Sequence, residues 1–247
     1  MVVERIWRAD EVAAAYVAES RAAVAALRAA APQAFARSTR CEPWTVRELL
    51  AHTVIALART SEMLDHRGAA ADRGGDPVGA GGYYAPDARF RAEVDGARVA
   101  DAQRWAAART PAGIVEELAD TTDAVAARVA TEPPDTLVLT RHGDLMRLAD
   151  FQATRVVELA VHGVDLADGL GVAPWLTAPA ADLVVALATG TTQAPQRAAR
   201  GCDQTTLVRA VTGRGGSGEV EGVVRLPAGV RSPFFGGTHR PEPVGEE

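Results

Sequence analysis

The chain is poor in cysteine, in aromatic residues and in long apolar runs, and each shortage excludes a class of protein. Its 247 residues include 2 cysteines, too few for the disulfide framework of a small secreted protein. Aromatic residues make up only 5%, which disfavours a β-sandwich core and favours close-packed, alanine-rich helices. No run of about 18 apolar residues occurs in the sequence, so we expect no transmembrane helix.

Positive charge is also scarce. The sequence has 26 Lys and Arg against 32 Asp and Glu, a formal net charge of -6, and no basic patch stands out. Because nucleic acids and anionic membranes bind concentrated basic surfaces, we expect neither as a partner. The amino-terminal residues lack the charged start and apolar run of a signal peptide, which predicts a cytoplasmic protein whose thiols stay reduced.

Apolar residues at helical spacing predict a mainly helical fold, an antiparallel four-helix bundle. Long helices are expected at about 10–30, from the Thr45 cap onward, at about 87–109, at about 111–131 and at about 149–168. Thr45 and Glu48 have the spacing of a capping box at the start of the second helix. Gly169 and Gly171 are expected to end the last of these helices.

The remaining segments are less regular. Glycine-rich residues 69–85 predict a flexible loop, a candidate lid, and residues 136–148 predict a short hairpin or an extended excursion. Beyond Pro174 the expectations are a helix over 180–189, either helix or strand over 205–212, and a strand over Glu219–Leu226. We therefore predict a helical bundle domain over residues 1–172 and a small α+β region over 173–247.

The segment from Arg155 to Leu166 carries the strongest functional signal. Glu158 and His162 stand four residues apart in an apolar helical pattern, so both side chains point from one face of the helix. Burying a carboxylate and an imidazole among valines and leucines is costly unless a partner neutralises the charge and occupies the imidazole lone pair. A divalent cation does both, which makes Glu158 and His162 candidate metal ligands.

His52 is the candidate third ligand. It lies on the apolar stripe of the second predicted helix, and facing helices of a bundle commonly build metal centres between them. Two histidines and one carboxylate leave coordination positions open to a substrate, as catalytic sites require. Two structural alternatives stay open: His52 as a hydrogen-bonded core histidine, and Glu158 in an ion pair with Arg155.

Asp165 and Arg155 flank these residues at helical spacing and are the candidates for catalytic roles. Asp165 could hold an imidazole N–H, and Arg155 could pair with Glu158 or bind a substrate carboxylate. Cys41 could lie near the positive end of the second helix or be an ordinary half-buried thiol. Trp44 better fits packing that fixes the start of this helix than a platform for a substrate.

Two motifs together resemble the mycothiol-dependent maleylpyruvate isomerase family, part of the DinB-like superfamily of metal-binding four-helix bundles. The motifs are WTVRELLAH at Trp44–His52 and RVVELAVHGVDL at Arg155–Leu166, and a weaker echo lies at 207–214. The resemblance implies a divalent metal ion bound by His52, Glu158 and His162, with zinc preferred over nickel, iron or manganese. It also implies mycothiol as a thiol cosubstrate.

In the isomerases, the thiol is understood to add to a cis alkene conjugated to a carbonyl, allow rotation, and leave to give the trans isomer. Superfamily relatives include thiol S-transferases, and the region after Gly171 is shorter here than the second domain of the isomerases. The resemblance thus implies an isomerase or S-transferase acting on an activated small-molecule electrophile such as maleylpyruvate. We expect a monomer or homodimer, since bundle proteins often pair but no exposed apolar stripe demands it. Candidates to orient a substrate carboxylate are Arg155, Arg209 and Arg225. The alternative is a noncatalytic metal-binding or stress-related helical protein.

Overall fold

Helices and one short hairpin make up the part of the chain that the computed structural model describes, residues 7–66, 68–71, 73–84, 92–133, 135–189 and 203–214. The helices are α1 (Ala9–Ala29), α2 (Val46–Asp65), α3 (Gly68–Ala71), α4 (Ala92–Ala107), α5 (Pro111–Val129), α6 (Leu148–Leu170), α7 (Ala178–Thr189) and α8 (Gln204–Val211). Strands β1 (Leu137–Leu139) and β2 (Leu145–Arg147) pair antiparallel, with Val138 opposite Met146. The mainly helical fold and the hairpin are confirmed.

Helices α1, α2, α5 and α6 pack into a four-helix bundle. Both α5 and α6 contact α1 and α2, so α1 and α2 lie on one diagonal of the bundle, and α4 packs on α2 outside it. Each helix turns an apolar stripe inward, and the side chains of Tyr16, Leu49, Ile114 and Leu159 are almost completely buried there. The predicted bundle is therefore present, and α2 and α6 are neighbours whose inward faces meet in its core.

The ends of α2 and α6 follow the expected local rules with one exception. Thr45 N donates to Glu48 Oε2 at 2.8 Å, and Glu48 N donates to Thr45 Oγ1, which completes the predicted capping box. Gly171 ends α6 with a φ of +72°, a left-handed conformation that favours glycine. The exception is Gly169, which lies inside α6 and permits close packing, since a Cβ there would lie 2.7 Å from Val46 Cγ2.

The glycine-rich segment and the hairpin dock at the start of α6. Val78 N donates to Leu145 O at 2.7 Å, and the Tyr83 ring packs edge-on against Phe151. The expected loop includes α3 and a 3₁₀ turn at Gly82–Tyr84. Its role as a lid stays a prediction, and the expected start of α4 near residue 87 lies outside the described residues.

The carboxyl-terminal elements extend the helical core. The predicted helix over 180–189 is confirmed as α7, and the ambiguous segment at 205–212 is a helix, α8, capped by Asp203. Helix α7 packs against α1, α6 and α8. The strand expected over Glu219–Leu226 lies outside the described residues, and the domain boundary near 172 stays a prediction. No helix in the described ranges is long and apolar enough to cross a membrane.

Candidate metal centre

The face of α6 that points toward α2 carries the predicted carboxylate and imidazole. Because Glu158 and His162 are one helical turn apart, their side chains meet, with His162 Nε2 3.3 Å from Glu158 Oε2. Both side chains are largely buried, 18% and 8% exposed respectively. The structure therefore brings this pair together in the orientation that the sequence predicted.

His52 comes from α2, on the opposite side of the same pocket. Its Nε2 lies 3.9 Å from Glu158 Oε2, and its ring meets that of His162 edge to face with centroids 5.4 Å apart. One ligand atom from each of His52, Glu158 and His162 lies within 4.8 Å of the other two. Three side chains from two distant segments thus converge on one point, as a bound cation would require.

The loop before α2 fixes the His52 ring. Trp44 stacks on it nearly parallel, with centroids 4.6 Å apart and planes 22° apart. The loop is itself a tight turn, in which Trp44 N donates to Cys41 O at 3.0 Å and Thr39 N donates to Trp44 O at 3.1 Å. The prediction that Trp44 packs at the start of α2 is consistent with this position, and the contact extends to the candidate ligand itself.

Burial and neighbouring charges set different protonation states for the three residues. Burial, followed by the charge of His162, lowers the pKa of His52 to about 3, so its imidazole is neutral at physiological pH. Burial alone would raise the pKa of Glu158, but the hydrogen bond from His162 and the positive charge of Arg155 hold it well below its ordinary value. The pocket therefore presents a carboxylate and a neutral imidazole, the forms that bind metals.

Asp165 supports the second imidazole from behind. Its Oδ2 lies 3.3 Å from His162 Nδ1, while both its oxygens accept from a buried arginine, Arg214, at 2.8 and 2.7 Å. Burial alone would lower the pKa of His162, yet its hydrogen bonds to Asp165, Cys41 and Glu158 raise it well above the ordinary value. The expected contact between Asp165 and an imidazole is therefore seen, and its catalytic role stays a prediction. The contact with Arg214 was not predicted.

Cys41 also belongs to this cluster, which neither sequence interpretation anticipated. Its Sγ donates to Asp165 Oδ2 at 3.2 Å, and the thiol is buried. Cys41, His162 and Asp165 form a second group whose ligand atoms lie within 4.8 Å of one another. Arg214 holds both oxygens of Asp165 at 2.8 and 2.7 Å, whereas Arg155 lies 3.7 Å from Glu158, so the Asp165 carboxylate is the more fully paired of the two and the less available to a cation.

Arg155 lies one turn before Glu158 and is buried. Its Nη1 donates to Ala56 O at 2.8 Å, its Nη2 lies 3.7 Å from Glu158 Oε1, and its guanidinium stacks on Phe151 with 4.5 Å to the ring centroid. Tyr83 O–H is a further partner at 3.5 Å. The predicted pairing of Arg155 with Glu158 is therefore seen at ion-pair distance, and its contact with a substrate carboxylate stays a prediction.

Of the two other arginines named from the sequence, the structure describes only Arg209, which does not reach the pocket. The Arg209 guanidinium donates two hydrogen bonds to the Asp168 carboxylate at the surface, one of 2.8 Å and one shorter. Arg225 lies outside the described ranges. Arg214 takes the buried position instead. No spacing rule links it to Asp165, because the two residues are 49 positions apart and only the docking of α8 joins them.

Comparisons with known proteins agree with the motifs. The family described as Mycothiol maleylpyruvate isomerase N-terminal domain matches residues 16–167, more than half of the chain. Two solved structures share the fold, a mycothiol-dependent maleylpyruvate isomerase and a histidine-to-alanine mutant of it. Each has a TM-score of 0.55 and 15% identity, over 91% of this chain and 95% of the other. No curated protein matches the chain. The chain belongs to the mycothiol maleylpyruvate isomerase N-terminal domain family.

Proposed function

We propose that this protein is a cytoplasmic, divalent-metal-dependent enzyme that uses mycothiol or a related low-molecular-weight thiol. It acts as an isomerase or thiol S-transferase on an activated small-molecule electrophile such as maleylpyruvate. The observation that carries the proposal is the convergence of His52, Glu158 and His162 within 4.8 Å inside a family whose described member is a mycothiol-dependent isomerase.

The donor set fits a divalent ion. Two imidazole nitrogens and one carboxylate oxygen are ligands that zinc accepts, and nickel, iron or manganese accept the same types. Three protein ligands leave further coordination positions for a substrate, as catalytic sites do. When bound, such an ion supplies Lewis acidity, which lowers the pKa of a thiol and polarises a carbonyl oxygen.

The buried charges around the pocket favour an anionic reactant. Arg155 and Arg214 are balanced by Glu158 and Asp165, and His52 is neutral. His162 gives up its Nε2 proton when it binds an ion, so these residues leave the charge of a divalent ion uncompensated. Charge is costly in a buried pocket unless it is paired. A thiolate or a substrate carboxylate would supply the missing negative charge. This supports a cosubstrate that can bind as an anion, such as a thiol, over a cosubstrate that stays uncharged.

The surrounding residues have separable roles in this proposal. Asp165 accepts the Nδ1 proton of His162, whose second proton, on Nε2, faces Glu158; an ion bound at Nε2 would displace that second proton, while Asp165 keeps the Nδ1 proton in place. Arg155 keeps Glu158 ionised and is the candidate to orient a substrate carboxylate. The thiolate sulfur would bond to the β-carbon of the alkene while the π electron pair moves onto the conjugated carbonyl as an enolate. Rotation about the new single bond and expulsion of the thiolate restore the alkene as the isomer, whereas protonation of the enolate keeps the C–S bond and gives the S-adduct.

Metal content is the first test. Purified protein is expected to contain about one divalent ion per chain, and His52→Ala is expected to lose it. His66→Ala is a matched control, because His66 is exposed at the end of α2 and contacts Glu62 O rather than the pocket. A metal-free wild type that remains folded would favour the noncatalytic alternative instead.

Thiol selectivity is the second test. Calorimetric titration of metal-loaded protein with mycothiol, glutathione and a mycothiol analogue lacking the sulfur should show uptake of mycothiol that depends on metal and sulfur. Glu158→Gln should abolish this uptake, since it removes the carboxylate of the proposed ligand set. Equal indifference to all compounds would contradict a thiol-dependent enzyme.

A further inference from the structure

We propose that Arg214 is a positioning residue that locks Asp165 against His162, so that the segment from Asp203 to Arg214 is a structural part of the metal centre. The inference rests on the proposed function only in assuming that His162 binds an ion. It assigns a role to a carboxyl-terminal segment that lies beyond the matched family domain, residues 16–167.

The contact between Arg214 and Asp165 is a complete fork. Arg214 Nε donates to Asp165 Oδ1 at 2.8 Å and Nη2 donates to Oδ2 at 2.7 Å, and neither side chain is exposed. A bidentate guanidinium contact fixes the plane of the carboxylate as well as its distance. Oδ2, the oxygen nearest His162 Nδ1, therefore cannot turn away without breaking both bonds.

The guanidinium is itself held from several sides. Arg214 Nη1 donates to Thr212 O at 3.1 Å, and the Arg214 carbonyl accepts from Arg40 Nη1 at 2.8 Å. Arg40 stands in the loop that also carries Cys41, whose Sγ donates to Asp165 Oδ2. The carboxylate is thus enclosed by the amino-terminal loop, by α6 and by the end of α8.

The backbone after α8 delivers Arg214 to this position. Leu207, Val208 and Val211 bury one face of α8, and Gly213 follows with a φ of +70°, a left-handed turn that glycine adopts without strain. Arg214 N then donates to Arg209 O at 2.7 Å. The short helix therefore docks by its apolar face, and the turn at its end directs the arginine inward.

A second ion pair between the α8 segment and α6 offers a matched control. Arg209 on α8 also forks onto a carboxylate of α6, Asp168, but this pair is 24% and 36% exposed and touches no proposed ligand. Loss of the outer pair removes an ion pair between α8 and α6 without altering the support of His162. Loss of the inner pair, Asp165 and Arg214, removes an ion pair and also the support of His162.

The test compares two double variants for metal affinity and thermal stability. Asp165→Leu/Arg214→Met replaces the inner pair with apolar side chains, an exchange that often leaves stability nearly unchanged. Asp168→Leu/Arg209→Met replaces the outer pair. Zinc affinity is measured by competition with a chromophoric chelator, and cobalt absorption reports ligand geometry.

We expect the inner variant to bind zinc about 10–100-fold more weakly and to shift the cobalt spectrum, because an outer partner of a ligand is lost. The outer variant should match the wild type. Arg214→Lys, which keeps the charge but not the fork, should fall between them and guards against misfolding of the double variant. Unchanged zinc affinity and spectrum in the inner variant, or equal losses in both, would overturn the inference. A wild type that binds no metal would overturn the proposed function with it.

Discussion

Two glutamates are buried in this bundle, and their surroundings have opposite effects. Glu158 on α6 lies 3.3 Å from His162 and 3.7 Å from Arg155, and these partners lower its pKa. Glu19 on α1 is completely buried, and burial is the main cause that raises its pKa. One pocket stabilises the carboxylate, whereas the other stabilises the protonated acid.

The difference lies in what surrounds each acid rather than in depth. Glu19 Oε2 accepts from Thr177 N at 2.9 Å and from Thr177 Oγ1 at 2.6 Å, which tethers α1 to the start of α7. Within the described residues its Oε1 has no hydrogen-bond partner, and no histidine or arginine is paired with it. A buried acid thus becomes a candidate ligand only where other ligand atoms and fixed positive charges converge on it.

Replacement of each glutamate by glutamine should separate the two roles most strongly. Glu158→Gln is expected to weaken zinc binding by more than about 100-fold, because a direct ligand matters more than an outer partner, whose loss costs about 10–100-fold. Glu19→Gln should leave zinc affinity unchanged. Chelator competition on both variants measures this, and similar affinities for the two would contradict the ligand assignment.

The sequence predicted Glu158 as a candidate metal ligand but gave no indication that Glu19 is buried and bonded to another helix. Spacing along one helix places Glu158 beside His162, and a capping box positions α2, so local rules were sufficient for these parts of the site. Asp165–Arg214 and Glu19–Thr177 join residues far apart in the chain. Such pairs depend on how helices dock, which no local pattern encodes.

Alanine substitutions at two glycines of α6 should show which side of this helix is more tightly packed. A Cβ at Gly169 would meet Val46 Cγ2 at 2.7 Å, and Val46 is a stiff, fully buried side chain at the start of α2. Gly169→Ala should therefore lower the free energy of unfolding by about 1–3 kcal/mol. At Gly163 the nearest atom is Trp175 Nε1 at 3.2 Å, so alanine there should cost less.

Chemical denaturation of both variants measures this difference. Gly96→Ala serves as the reference, because nothing lies within 4 Å of a Cβ there and alanine should stabilise α4 by up to about 1 kcal/mol. If Gly163→Ala were the more damaging change, the side of α6 near Glu19 would be the more tightly packed one.

The raised pKa of Glu19 predicts a pH dependence of stability. An acid whose folded-state pKa exceeds its ordinary 4.5 contributes stability below that value, and the contribution is lost as pH rises through the folded-state pKa. Glu19→Gln removes this dependence, so the stability of the variant relative to the wild type should increase as pH rises toward neutral. Urea unfolding at acid and neutral pH checks it, and parallel curves would show that Glu19 is not perturbed.

The smallest expected effect concerns the indole beside each glutamate pocket. The Nε1 atoms of Trp44 and Trp175 are both buried without a hydrogen-bond partner among the described residues, but only Trp44 stacks on a proposed ligand, His52. Because a stacked aromatic pair contributes about 0.5–1.5 kcal/mol, Trp44→Leu should weaken zinc binding by about 2–10-fold. Trp44→Phe preserves the stack and should bind zinc as the wild type does, as should Trp175→Phe. Weaker binding in Trp44→Phe would instead assign the role to the indole N–H, which phenylalanine lacks, and would place a hydrogen-bond acceptor near His52.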